Sequence, residues 1–359
     1  MTQKPSPRTH SKPKKKSTGT TRRKPVLVDL ALQGGGAHGA FTWGVLDRLL
    51  EEPWLRVDGI SGTSAGAMNA AVMASGFTLG GVKGAKKALE EFWRRVSDAS
   101  SFSPLQRGPI EMLTGQWTLK HSPMYQAAEM MSRIFSPYEL NPANTHPLRD
   151  ILAETVDFKA LKKSPIRLFI TATNVRTGSG HLFRNAEITP EVLLASGCLP
   201  NLFQAVEIDG EAYWDGGYAG NPTITPLVRE CESRDTILVQ INPILRDEVP
   251  KSARDIINRL NEVSFNAPLL KEMRMIALLH QVADPGRGEG AKWAQMRMHR
   301  IATDRVTELD SSSKKITEWR FLCGLRDEGR RTAEKFLATN AKHLGVRSSL
   351  DLNLFLEKL

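Results

Sequence analysis

The chain of 359 residues is 40% apolar and 25% charged, which is ordinary for a soluble globular protein and excludes collagen, disulfide miniproteins and chains disordered throughout. The net charge of +10 is concentrated at one end, because residues 1–24 hold nine basic side chains and no acidic one. The remainder has 40 basic against 39 acidic residues. A nucleic-acid-binding domain carries its basic surface on the folded part, so we expect no nucleic-acid partner.

Residues 1–24 mix Pro, Ser, Thr and Lys and have no aliphatic residue after Met1. Such a segment cannot bury enough apolar surface to become ordered, so we predict a disordered basic tail. The tail could touch anionic membrane peripherally, or it could be a solvated linker or an expression remnant. No apolar run approaches the ~20 residues of a membrane span, and no signal-peptide core follows the basic start. We expect a cytoplasmic protein, with peripheral membrane contact as an option.

The three cysteines, Cys198, Cys231 and Cys323, are odd in number and have no CxxC spacing. This argues against a disulfide framework or a zinc site. Free thiols suit a reducing compartment, and we expect all three to be buried structural residues.

Order begins with the apolar run Val26 to Leu32, which predicts a buried strand that ends in three glycines. Apolar residues at helical spacing follow, up to a break at Pro53. Val57 to Ser61 predicts a second strand, and Ala65 to Ser75 predicts an Ala-rich helix stopped by Gly76. This alternation is typical of a parallel sheet covered by helices.

Later elements are predicted from the same patterns. Residues 80–160 read as helices and polar loops, and their aromatic and Met residues favour core packing, with an acyl pocket or lid as the alternative. The predicted elements after Pro109 are a helix over Met124 to Phe135, a strand over Ile166 to Thr173 with Gly180 to Arg184 beside it, a short helix over Glu191 to Ser196, a central strand over Thr236 to Ile241, helices over Ser252 to His280 and Lys314 to Leu344, and an edge strand over Met296 to Ala302.

The pentapeptide Gly62 to Gly66 has the pattern G-x-S-x-G and lies between a predicted strand and a predicted helix. A serine at such a sharp turn projects its hydroxyl clear of the backbone, and Gly62 and Gly66 let neighbouring backbone pass closely. The N-terminus of the following helix favours a developing anion. Ser64 could instead be a helix N-cap, but its flanks favour a nucleophile.

The glycine loop Gly34, Gly35, Gly36 and Gly39 lies about 30 residues before the serine. Uncovered backbone N–H groups can converge on an anion there, as in an oxyanion hole. Gly34, Gly36 and Gly39 also match the dinucleotide pattern G-x-G-x-x-G literally, but that site needs an acidic residue at the end of the second strand. Here the second strand ends in Ser64, which favours acyl transfer. We expect His38 to be only a polar residue at a helix start.

A serine nucleophile needs a proton acceptor. In a Ser–Asp–His order the acceptor would be His280, His299 or His343, but each lies in or beside an amphipathic stretch typical of surface or packing histidines. The alternative is Asp215.

Asp215 precedes Gly216 and Gly217, which mark a tight turn that a substrate can approach closely. Tyr213 and Trp214 could shield the carboxylate from water and raise its basicity. Judged by the turn alone, an Asx turn would be the favoured interpretation.

The three motifs together, GGGxxG, GTSAG about 30 residues later and DGG about 150 after that, resemble the patatin-like phospholipase family over roughly residues 25–245. The resemblance implies a three-layer α/β/α fold with a mainly parallel central sheet. It also implies a lipid acyl hydrolase or phospholipase A-type esterase that uses a Ser–Asp dyad, an acyl-enzyme and no metal or other cofactor. Leu199-Pro200 and Asn221-Pro222 fit the family's usual surroundings of the aspartate.

Carried over by position, Ser64 is the nucleophile, Asp215 is the proton acceptor, and the glycine loop is the oxyanion hole. His38 stands where many members carry Arg or Lys, so no cation is expected to help the loop from that position. The organisation that follows is a tail (1–24), a patatin-like catalytic domain (25–245) and a mostly helical C-terminal extension packing on it (246–359). Two alternatives stay open, an esterase for short-chain or polymeric hydroxyacyl esters and an inactive scaffold recruited to membranes.

Overall fold

A sheet of eight strands forms the centre of the computed structural model, which describes residues 23–100, 106–286 and 288–359. The spatial order is β5-β6-β3-β2-β1-β7-β8, and β4 also pairs with β3. The strands are β1 (Val26–Leu32), β2 (Leu55–Gly62), β3 (Arg167–Asn174), β4 (Gly180–Arg184), β5 (Val206–Ile208), β6 (Glu211–Asp215), β7 (Asp235–Val239) and β8 (Arg297–Ile301).

The sheet is mixed, with a parallel part made of β1, β2, β3, β7 and β8. The strands β4, β5 and β6 are antiparallel to their neighbours. Parallel strands need crossover connections, which the helices between them provide. The predicted edge strand at Met296 to Ala302 is confirmed as β8, which therefore adds a strand from the C-terminal region to the sheet.

Helices cover both faces of the sheet. They are α1 (Gly39–Leu49), α2 (Ala65–Ser100), α3 (Pro109–Thr114), α4 (Pro123–Ile134), α5 (Pro137–Leu140), α6 (Pro147–Thr155), α7 (Phe158–Lys162), α8 (Pro190–Ser196), α9 (Thr225–Glu230), α10 (Ala253–Val282), α11 (Gly288–Ala294), α12 (Asp304–Thr307), α13 (Trp319–Asn340) and α14 (Leu352–Glu357). Short 3₁₀ helices occupy Gly36–His38, Gly216–Tyr218, Ser311–Lys315 and Ala341–His343.

The side chains of β1 alternate between two cores, as expected for a strand covered on both faces. Leu30 and Leu32 belong to the larger core, which also contains apolar residues of α1, α2 and α13. Ala31 belongs to the second core with apolar residues of α9, α10 and α14. The three-layer arrangement with a mainly parallel sheet and a helical C-terminal region is thus confirmed.

The helix predicted to stop at Gly76 continues, and this prediction was wrong. Non-helical backbone angles occur only later, at Gly80 and Gly81, where α2 folds back on itself. Gly76 lies at the crossing of the two arms, because a Cβ placed there would be 2.7 Å from the carbonyl oxygen of Gly84. Gly76 therefore serves close helix packing and does not end the helix.

The helix predicted from Lys314 begins later, at Trp319. Residues Ser311–Lys315 form a 3₁₀ helix, and Ile316 has extended backbone angles. Asp310 caps this short helix, since its side chain accepts a hydrogen bond from the Ser312 N–H. The reason for the break is tertiary, because Ser311–Lys315 packs against the glycine loop.

Two further expectations concern buried side chains and membrane spans. Cys198 and Cys231 are buried as expected, whereas Cys323 is only partly buried. Among the described helices, none combines the length and apolarity that crossing a membrane demands. Residues 1–22 of the predicted tail lie outside the part of the chain that the structure describes.

Candidate active site

The register of the sheet brings Ser64 and Asp215 to the same end of β3. Gly62, two residues before Ser64, pairs with Ile170 on one side. Asp215 pairs with Ala172, two residues further along β3. One strand therefore carries both halves of the predicted pair, although they are 151 positions apart in the sequence.

Ser64 sits in a strained turn. Its φ of 54° lies in the left-handed region, which costs a non-glycine residue about 1–3 kcal/mol and occurs preferentially at functional sites. Its N–H donates to Ser196 Oγ at 2.9 Å, and that hydroxyl donates to the Thr171 carbonyl at 2.7 Å. Ser196 on α8 thus fixes the backbone of the turn, a role that no sequence pattern indicated.

The absence of side chains at Gly34 and Gly66 allows the turn to close. A Cβ on Gly34 would lie 2.7 Å from the Cβ of Ser64, so only glycine lets the loop approach the serine. A Cβ on Gly66 would clash with the carbonyl oxygen of Leu32. The two glycine motifs therefore pack directly against each other.

Asp215 is buried, with only 1% of its surface exposed. Burial raises the pKa of its carboxyl from 3.8 to about 7, while hydrogen bonds from the Gly217 N–H and from the Ser64 side chain act in the opposite direction. The Gly217 bond to Oδ1 measures 2.8 Å. This is the Asx-type turn that was the competing interpretation, and the same carboxyl also faces Ser64.

The hydrogen bonds of the glycine loop divide the four predicted oxyanion donors into two groups. The Gly34 N–H donates to Asn221 Oδ1 at 2.7 Å. The Gly39 N–H points back to carbonyl groups of its own 3₁₀ helix. Within the described part of the chain, the N–H groups of Gly35 and Gly36 have no acceptor. These two N–H groups are the ones of the four that have no acceptor among the described residues.

A buried polar network supports the loop from behind. Asn242 Nδ2 donates to the Gly34 carbonyl at 2.6 Å, and Lys314 Nζ donates to Asn242 Oδ1 at 2.8 Å. Gln33 Oε1 accepts from the Asn242 N–H at 2.9 Å. Burial lowers the pKa of Lys314, and Glu262 partly opposes this effect. A lysine side chain therefore lies behind the loop, supplied from the C-terminal region.

His38 joins the same two segments. It is buried, and its Nε2 lies 2.7 Å from Ser313 Oγ. Burial and the nearby Lys314 lower the pKa of His38 to about 3. The ring is therefore neutral at ordinary pH and acts as a hydrogen-bonding link between the loop and Ser311–Lys315.

None of the three later histidines contacts Ser64. His299 is buried on β8, where its Nε2 lies 3.0 Å from Asp235 Oδ1 and its Nδ1 lies 2.8 Å from Ser349 Oγ. Asp235 is also held by Arg297, which contributes to a pKa of about 2 for this carboxyl. His280 lies on α10, and His343 lies in a 3₁₀ helix. The structure therefore agrees with the expectation that none of these three histidines serves as the base for Ser64.

The C-terminal region also covers the turn after Asp215. The ring of Phe265 on α10 occupies the position that a Cβ on Gly217 would take. The same ring packs edge-on to Tyr218 with centroids 4.8 Å apart. Asp215 is shielded from water on this side by a helix that the sequence had assigned to an extension.

A cavity of about 1430 Å³ lies beside the network, lined among others by Gln240, Arg246 and Glu262, but neither Ser64 nor Asp215 lines it. A separate cluster of Asp29, Asp58 and Cys231 has ligand-type atoms within 4.8 Å of one another. Asp29 accepts from the Gly59 N–H and Asp58 pairs with Arg167, so these groups serve each other and the backbone.

Comparison with known proteins agrees with this fold. The family model described as Patatin-like phospholipase matches residues 30–228. No curated protein matches the chain.

Two solved structures match the chain at low sequence identity. VipD from Legionella pneumophila is 18% identical, with a TM-score of 0.38 over 87% of this chain and 67% of VipD. ExoU from the type III secretion system of Pseudomonas aeruginosa, solved with SpcU, is 16% identical, with a TM-score of 0.29 over 87% of this chain and 53% of ExoU. The chain thus spans about two thirds of VipD and about half of ExoU, and similarity at this level says nothing about substrates or partners.

The family model covers more than half of the chain and contains the serine turn, the aspartate turn and most of the sheet. The chain belongs to the patatin-like phospholipase family.

Proposed function

We propose that this protein hydrolyses acyl esters of lipids through a Ser64–Asp215 dyad. The observation that carries the proposal is the pairing of a strained serine with a buried carboxyl whose pKa is about 7. A pKa near the working pH suits a general base, because the group is ionised and still holds a proton well. Membership of the family supports lipid hydrolysis in general, whereas the proposal of a dyad rests on the geometry of Ser64 and Asp215.

In the proposed mechanism the ionised Asp215 accepts the Ser64 hydroxyl proton while Oγ attacks the ester carbonyl carbon. The N–H groups of Gly35 and Gly36 stabilise the oxyanion of the tetrahedral intermediate, and each such donor is typically worth about 3 kcal/mol of barrier. When the intermediate collapses, the alcohol leaves with the proton from Asp215. Water then attacks the acyl-enzyme while Asp215 accepts its proton; the bond from the acyl carbon to Ser64 Oγ breaks, the carboxylic acid leaves, and Asp215 returns the proton to Ser64.

Two other functions remain as alternatives. An esterase for short-chain or polymeric hydroxyacyl esters would use the same chemistry, and a chain-length series of esters distinguishes it from a lipid hydrolase. An inactive scaffold would need neither the free loop amides nor the strained serine, which makes it the weaker candidate.

Labelling with a fluorophosphonate probe, followed by mapping of the modified peptide, tests the nucleophile before any substrate is chosen. We expect modification at Ser64 and none in Ser64→Ala. The matched control is His299→Gln. This variant changes the histidine that lies between Ser349 and Asp235, away from Ser64, and the probe should still label it at Ser64. Labelling at another serine, or wild-type hydrolysis of a p-nitrophenyl ester by Ser64→Ala, would refute the assignment.

A further inference from the structure

Helix α3 has a polarity opposite to that of an ordinary surface helix. On α3 the carboxylate of Glu111 is buried, where it contacts His121 Nδ1 at 3.0 Å. Its neighbours Ile110, Met112 and Leu113 point outward, and Leu113 is 91% exposed. In a globular protein the apolar side of a surface helix faces the core. The outward orientation of these side chains therefore indicates that another surface covers them.

Helix α4 continues the reversed pattern. Tyr125 is its one buried residue. The apolar side chains of Met124, Met131 and Ile134 recur at helical spacing, and all three are exposed together with Met130. The exposed apolar residues extend through Phe135 and Tyr138 to Leu140. We call the exposed apolar side chains of residues 110–140 the apolar face.

The apolar face is anchored to the surroundings of Ser64 on one side. A Cβ placed on Gly197 would lie 3.6 Å from Ser64 Oγ, and the Cys198 carbonyl accepts the Asp215 N–H at 2.7 Å. A few residues later, Gln204 Nε2 donates to the Asn141 carbonyl at 2.7 Å. The segment beside the dyad is therefore bonded directly to the end of α5.

On its other side the apolar face adjoins the support of the glycine loop. Lys315 Nζ lies 5.0 Å from the centre of the Tyr125 ring, beneath α4. The preceding residue, Lys314, contacts the loop, because a Cβ on Gly36 would meet its carbonyl oxygen. The segment that carries the apolar face is thus joined to the surroundings of both components of the proposed site.

Two ion pairs at the rim of the apolar face expose their cation more than their anion, and the exposed Glu139 on α5 adds one negative charge. Lys120 pairs with Asp310, and the lysine side chain is 39% exposed against 19% for the aspartate. Arg133 pairs with Glu129, with exposures of 41% and 17%. In both pairs the positive group lies outward, which complements a surface of negative charge.

We propose that the apolar face is a docking surface for a bilayer that contains anionic lipid, and that it seats the Ser64 site against its substrate. The substrate part of this inference rests on the proposed function. Large exposed apolar patches mark interaction sites, and an amphipathic helix with a cationic rim is suited to lie in the interface between water and acyl chains. A protein partner is the competing occupant.

Vesicle flotation with full-length Ser64→Ala tests the proposal without turnover, using phosphatidylcholine vesicles with and without 30% phosphatidylserine. We expect binding that is strongest with phosphatidylserine, and at least a tenfold weaker partition for Met130→Glu/Ile134→Glu. The control is Leu79→Glu, because Leu79 is 65% exposed and Met130 64%, and Leu79 lies outside the apolar face. The basic tail is kept in every variant, so differences between them report the apolar face.

Unchanged partition of the double variant, an equal loss in Leu79→Glu, or no binding to either vesicle would overturn the proposal and favour a protein occupant. The single variant Leu113→Glu provides a second test at a site too exposed to affect folding. The substitutions are repeated with Ser64 intact and assayed on a soluble p-nitrophenyl ester, where we expect unchanged rates. If neither the parent protein nor any variant hydrolyses the ester but the differences in vesicle binding persist, the proposed function is refuted and the docking surface is supported.

Discussion

Replacing Asp215 by Asn should make the protein more stable, and increasingly so as the pH rises. The carboxyl has a pKa of about 7 in the folded protein against 3.8 as its ordinary value, because burial penalises its ionised form. The folded state therefore holds a proton that the unfolded state releases above pH 4. Stability due to this group is fully present below pH 3.8 and is lost as the pH rises towards 7.

The size of the effect follows from these two pKa values. At 1.36 kcal/mol per pH unit, the raised pKa of Asp215 costs about 2 kcal/mol of stability at pH 5, where the carboxyl ionises only in the unfolded chain, and about 4 kcal/mol at pH 8. Asn has no charge to bury and can still accept the Gly217 N–H. With about 2 cal/mol/K of unfolding entropy per residue over 359 residues, the variant should melt about 3 °C higher at pH 5 and about 6 °C higher at pH 8.

Differential scanning fluorimetry of the two proteins at both pH values measures this change. Other titrating groups are common to both proteins and cancel in the difference. A melting-temperature difference that does not depend on pH, or a variant less stable than the parent at pH 8, would refute the account of Asp215 as a carboxyl buried at an energetic cost. The same variant should lose at least a hundredfold in esterase rate, the usual scale of a general base.

Two further predictions concern the rate. The kcat/KM for a soluble ester should rise with pH through a pKa of about 7 and level off above it. The reason is that Asp215 must be ionised to accept a proton, and burial raises its pKa. A kcat/KM that does not change between pH 5 and pH 8 would contradict this. Lys314→Met should lower kcat about tenfold with little change in KM, since it removes the hydrogen bond to Asn242 that supports the glycine loop. Lys315→Met is the matched control, and an equal loss there would assign the effect to the segment as a whole.

The sequence was sufficient wherever the signal was local. The bounds predicted for β1 from Val26 to Leu32 are those of the structure, because a short, mostly apolar run that ends in glycines is typical of a buried strand. The serine turn was equally predictable, since its glycines and its strand-to-helix context lie within a few residues. The motif spacing then identified the family before any contact was known.

Contacts between distant segments could not be predicted in this way. The Gly34 N–H is not free, because it donates to Asn221, which lies 187 positions away in the chain. Gly76 shows a second limit, because a helix end and a close helix crossing both require a missing side chain. The role of Lys314 was hidden by an amphipathic pattern that continues into α13. The domain boundary at residue 245 stays a prediction, and hydrogen bonds around the glycine loop cross it.

The link between His38 and Ser313 joins residues 275 positions apart. A ribosome would have to add 275 residues after His38 before both partners of this link exist. Until then the nascent chain carries the serine and the aspartate but lacks the segment Ser311–Lys315 that supports the glycine loop. The order of translation thus delays completion of the reactive centre, and a gene truncated at the end of the family match would omit that segment altogether.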